Sequence, residues 1–76
     1  MGDRELDREL VSIVWHRNAP HVIQRIYAGG RLERVSGNQA QAEEMAENEG
    51  FGLVPTAVHL TQWVKDPQTW HVATEE

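Results

Sequence analysis

The chain predicts an α+β domain, in which one helix packs on one face of a small antiparallel sheet of four to five strands. Three observations carry this: a capped helical segment between Ser36 and Phe51, short β-branched runs on both sides of it, and glycine or proline turn signals separating those runs. With 76 residues there is room for one domain and one core. Residues 1–9 read as a charged lead-in and residues 10–76 as the domain.

The lead-in repeats one tetrapeptide, DREL DREL, over residues 3–10. At helical spacing Asp3 stacks on Asp7 and Glu5 on Glu9, which repel, while Arg4 meets Asp7 and Glu5 meets Arg8. Attraction and repulsion nearly cancel, so the expectation is a frayed turn or an unstructured, solvated end. From Leu10 to Arg17, LVSIVWHR is short and rich in β-branched and aromatic residues, which predicts a strand with Val11, Ile13 and Trp15 on one face. Asn18-Ala19-Pro20 then reads as the turn, since proline presets φ and removes a donor.

His21 to Val35 supports two readings. Val22, Ile23, Ile26 and Tyr27 match a helical stripe, yet Gly29-Gly30 between two extended-looking segments matches a hairpin with a two-residue loop. The β-branched content favours the hairpin, whose loop would set Tyr27 beside Leu32 on one face. The helix follows. Ser36 with Gln39, or Asn38 with Gln41, has capping-box spacing, and Gly50 is placed to end the helix in the left-handed conformation. An isolated helix of this length is marginal, so it must dock a face, and that face is Ala42, Met45 and Ala46 with Phe51 folding back.

Phe51 to Pro55 reads as an extended link. After it, TAVHLTQWV and TWHVAT flank Lys65-Asp66-Pro67-Gln68 and predict a terminal hairpin. A four-residue loop would put His59, Thr61, Trp63, Trp70 and Val72 on one face. A loop one residue different joins Trp70 and Val72 to Val58, Leu60 and Val64 and leaves His59 and Trp63 opposite. The second register buries more aliphatic surface and is preferred. The expected core is Val11, Ile13, Trp15, Ile23, Tyr27, Leu32, Met45, Phe51, Leu53, Val58, Leu60, Val64 and Val72.

Composition narrows the function. The chain has no cysteine, hence no disulfide, thiol nucleophile or thiolate metal site, and its longest apolar run, Val11 to Trp15 with Ser12 inside it, is far short of the roughly 20 residues of a membrane span. No apolar segment of a signal peptide follows Met1, so a cytoplasmic location is expected. A net charge of −5 disfavours phosphate-backbone binding and favours a partner protein with a basic surface.

The oddest feature is the outer helix face, where Glu43, Glu44, Glu47 and Glu49 have no lysine or arginine among them. Glu43 and Glu47 repel one turn apart, and Glu47 and Glu49 sit where the macrodipole disfavours anions. Either the face is merely solvated, or it meets cations on a partner. Trp63 beside His59 on an exposed hairpin face is the second candidate contact, against the plain alternative that Trp15, Trp63 and Trp70 all pack inside. The four histidines show no HExxH pattern and no third ligand, so no metal is expected. Ser12 and Ser36 lack a partnered base, and one helix over a small sheet offers little concavity, so no catalytic residue or cofactor is assigned.

Three segments, HVIQRIYAGG, NQAQAEEMAENEG and WHVATE, resemble a family of small bacterial α+β domains of unknown function. In that family an extended segment ending in Gly-Gly precedes a short acidic helix, and a strand reading aromatic, aliphatic, any residue, Thr, acid closes the domain. This chain departs from it at Val54-Pro55-Thr56, where the family has a second glycine turn. The resemblance implies the fold and no catalytic residue.

The function expected is therefore that of a small acidic, non-catalytic adaptor or inhibitor acting by protein contact through Glu43, Glu44 and Glu47 or the His59/Trp63 face. Its specific form, by analogy of class, is a phage-encoded, anti-CRISPR-like inhibitor. The competing expectation is nucleic-acid binding by Arg25, Arg31 and Arg34 with Tyr27 or Trp63 as a stacking platform. A third is homodimerisation through the uncovered sheet face.

Overall fold

The structure, a computed structural model, describes residues 8–67. Within them the order is β1 (Leu10–His16), β2 (Ala19–Tyr27), β3 (Leu32–Ser36), α1 (Gln39–Glu49), β4 (Gly52–Val54) and β5 (Leu60–Val64). The five strands form one sheet in the order β3-β2-β1-β5-β4, every neighbour antiparallel, with α1 packed on one face. This is the α+β class the sequence predicts. Residues 1–7 and the second arm of the predicted terminal hairpin, with Trp70, His71 and Val72, lie outside the described residues.

The β1–β2 turn comes one residue earlier than Asn18-Ala19-Pro20 implies. His16 pairs with Ala19 across Arg17-Asn18, and the register then jumps so that Trp15 faces Ile23. Pro20 falls in that bulge, where a missing N–H costs no ladder bond. The indole of Trp15 donates to the Pro20 carbonyl at 3.0 Å and ties the bulge down.

The β2–β3 hairpin forms, but its loop is longer than two residues. Tyr27 N donates to Arg31 O and Gly30 N to Tyr27 O, with Gly30 at φ 95°. A three-residue loop closed by a left-handed glycine is the common alternative to the two-residue turn. The extra residue reverses the face of everything after it. Leu32 pairs with Ile26, not alongside Tyr27, and is 43% exposed, a correction to its expected place in the core.

The helix is capped by Asn38, not Ser36, which remains in β3. Asn38 Oδ1 accepts from Gln41 N, and Gln41 Oε1 accepts from Asn38 N, each at 2.9 Å. At the far end Gly50 is left-handed at φ 77°, Gly50 N donates to Glu47 O and Phe51 N to Ala46 O. That pair of bonds is the Schellman closure, and it turns Phe51 back against the core.

Ile13, Ile23, Ala42, Ala46 and Trp63 form the core, with Leu10, Trp15, Val35, Met45 and Phe51 packed around it. Close approach extends to the entry of the helix: a Cβ on Gly37 would stand 2.4 Å from Ile23 Cδ1. The segment read as a link, Phe51 to Pro55, instead supplies β4, which pairs with β5 as Leu53↔Trp63. The strand expected to begin near Thr56 begins at Leu60, because Leu60 N closes a turn onto Ala57 O. Leu53, 64% exposed, and Val58, 94% exposed, are therefore outside the core in which they were expected.

Ile13→Ala should lower the unfolding free energy by about 2–5 kcal/mol, and Asn38→Ala by about 1 kcal/mol through loss of the cap. Leu53→Ser and Val58→Ser should each stay within about 0.5 kcal/mol. Urea titrations of the four variants check the assignment of inside and outside.

Candidate functional site

The two faces of α1 do different work. Ala42 and Ala46 have no exposed surface, while Glu43, Glu44, Glu47 and Glu49 are all exposed. The last turn contains no basic residue. Among the described residues the ion pairs are Arg25–Glu33 and Lys65–Glu9, so none of the four helical glutamates has a cationic partner there. Glu43, Glu44 and Glu47 share the side of α1 turned away from Ala42 and Ala46, whereas Glu49, one turn beyond Ala46, is exposed at the helix end on the packed side and does not belong to that face.

The second candidate face is not brought together. His59 is exposed in the turn before β5, with its ring centroid 6.3 Å from that of His16. Trp63 is 7% exposed and lies under the helix, opposite Ile13. Its neighbour on that face, Thr61, accepts from Gln39 Nε2 of α1 at 3.5 Å. The expectation that Trp63 stands exposed is corrected, because the helix occupies that face of β5 and covers the indole; the register of the terminal hairpin itself falls on residues outside those described. The physical reason for the covered indole is the helix, whose two alanines pack against a broad flat surface such as the indole offers.

The arginines expected to form a basic edge are dispersed. Arg25 is on the helix side of β2, where Nη1 donates to Met45 Sδ at 3.1 Å and Nε to Tyr27 Oη at 3.2 Å. Tyr27 Oη in turn donates to Glu33 Oε1 at 2.9 Å, and Glu33 Oε1 lies 3.2 Å from Arg25 Nε. The Tyr27 hydroxyl, then the Glu33 carboxylate, hold the Arg25 guanidinium above its ordinary pKa against the opposing effect of burial. Arg31 covers the Tyr27 ring, its Cζ 4.1 Å from the centroid, and Tyr27 is 8% exposed, so no stacking platform is offered. Arg34 pairs with Gln24 on the opposite face. The cluster is a clamp between helix and sheet.

Sequence reasoning missed one site. On the face turned away from α1, a hollow of about 410 Å³, open to solvent, is lined by Val11, Ser12, Ile26, Gln62, Val64, Lys65 and Asp66. The available signal was two polar residues, Ser12 and Gln62, inside otherwise apolar strands. Among the described residues no group of three histidine or carboxylate side chains is placed to hold a metal, and no helix is long and apolar enough to cross a membrane. No protein-family model, curated protein or solved structure matches the chain.

Tyr27→Phe removes both hydroxyl bonds of the clamp and should cost about 1–2 kcal/mol. Because the Arg25 pKa is raised, the stability from its charge is fully present below the ordinary arginine pKa and is lost only as pH rises through the higher folded value. The difference between wild type and Tyr27→Phe in urea unfolding should therefore include no step from Arg25 titration between about pH 6 and 9.

Proposed function

We propose that the protein is a non-catalytic adaptor or inhibitor that engages a basic surface of another protein through Glu43, Glu44 and Glu47 of α1. One observation supports this above the others: Glu43, Glu44 and Glu47 are exposed on one side of α1, with no cation on the helix. A helix under selection for its own stability would carry lysine or arginine in the last turn, where the carbonyl ends are negative. Here Glu47 and Glu49 occupy that end instead. Glu43 and Glu47 stand about 6 Å apart along the axis, so a row of arginines or lysines could meet them in succession. In an anti-CRISPR-like inhibitor the same row would imitate nucleic-acid phosphates for a protein that binds them.

The dispersal of Arg25, Arg31 and Arg34 over two faces and a loop removes the geometric support for the nucleic-acid reading. The experiment is capture from a host lysate with the tagged protein and with Glu43, Glu44 and Glu47 changed to Gln. Partners should be retained by the wild type, released by salt, and lost in the triple variant. An unchanged set of partners would remove the helix from the account. Independently, Glu49→Lys should raise the unfolding free energy by about 0.3–1 kcal/mol, which shows that the charge pattern sacrifices stability.

A further inference from the structure

We infer that the cavity on the far side of the sheet from α1 binds a small, neutral, apolar molecule carrying one hydrogen-bond donor, which Gln62 Oε1 orients. The register places its walls on one face: Ser12 is flanked by Ile26 on β2 and Val64 on β5, and Gln62 lies beside Val14 and Val54. The irregularity between Leu10 and Ser12 lets the consecutive residues Val11 and Ser12 both line the cavity. Its volume of about 410 Å³ falls within the range of small-molecule sites.

The chemistry follows from one proton. Ser12 is 4% exposed, and its hydroxyl donates to Trp63 O at 3.0 Å. A hydroxyl has a single hydrogen, so Ser12 Oγ can only accept from Gln62, whose Nε2 stands 2.9 Å away. The orientation of the amide is thereby fixed, with nitrogen on Ser12 and Oε1 left as acceptor. No described group donates to that oxygen. It belongs to a half-buried side chain in a cavity whose other interior walls are Val11, Ile26 and Val64. An N–H or O–H on the ligand would satisfy it, whereas a purely apolar ligand would strip it of water and return nothing.

Neutrality is argued from the same lining. The interior side chains carry no formal charge, and the charged members, Lys65 and Asp66, are exposed to solvent. Lys65 is also ion-paired with Glu9. An ionised ligand would lose part of its hydration against these walls and meet no charged interior side chain in return.

The test compares indole with benzothiophene, a bicycle of the same shape in which sulfur replaces the N–H. The full chain, with isoleucine and valine methyls isotopically labelled, is titrated by NMR. Indole should shift the Val11, Ile26 and Val64 methyl signals saturably and bind about tenfold more tightly than benzothiophene, the equivalent of one well-made hydrogen bond. Gln62→Leu should abolish that preference. Ser12→Ala, which leaves the cavity walls in place and frees the amide to rotate, should weaken the preference if Gln62→Leu does not fold. Absence of saturable shifts with indole, equal affinity for the two ligands, or a preference that survives in the folded variants would each overturn the inference.

Discussion

The contact between α1 and the sheet sets the terms for the rest of the molecule. Ala42 and Ala46, one turn apart and fully buried, bring the helix backbone down onto Ile13, Ile23 and Trp63. Small side chains on the helix and large ones on the strands interlock with few voids, which a domain of this size needs because it has little other apolar surface to bury. Both ends of the helix serve this contact. Asn38 and Gln41 satisfy the first orphan amides, and Gly50 redirects the chain so that Phe51 returns to the same core. With one face committed to packing, the opposite face of α1 is under no structural constraint beyond solubility, and it carries glutamate.

Polar groups near that contact are satisfied pairwise instead of being left to solvent. Arg25 reaches the helix through Met45 and the sheet edge through Tyr27 and Glu33. The arginine side chain thereby joins three elements, α1, β2 and β3, at the rim of the apolar core. On the other side of the sheet, Ser12 and Gln62 form a shorter chain that ends on a backbone carbonyl of β5. The two networks differ in one respect: the first closes on itself through Glu33, while the second ends in an amide oxygen.

Much of this was legible in the residues, and what was not has a physical reason. The helix limits, its inner face and its glycine stop follow from local signals at Asn38, Gln41 and Gly50, because caps and left-handed glycines act within a few residues of the chain. The hairpin around Gly29-Gly30 was equally visible, yet its loop length was not, and one additional residue moved Leu32 to the other face. Trp63 was misplaced for a different reason: its environment is made by α1, more than ten residues earlier, and no periodicity within β5 records which face the helix will choose. The pairing of Phe51–Pro55 as β4 was hidden likewise, since a three-residue strand carries too little pattern to declare itself. The acidic face of Glu43, Glu44 and Glu47 was readable, and the Ser12–Gln62 pair was not, because the two residues meet only through the β1–β5 register.

The position of β3 at the border of the sheet has a bearing on self-association. Its ladder to β2 uses the inward groups of Arg31 and Gly37, which leaves the amides and carbonyls of Leu32, Arg34 and Ser36 directed outward. Two copies joined by these groups in full antiparallel overlap would set Arg34 against Arg34, and one of the two neighbouring alignments would set Glu33 against Glu33. Like charges facing across a ladder repel. In those two alignments the charges of the border strand itself oppose its pairing with a second copy.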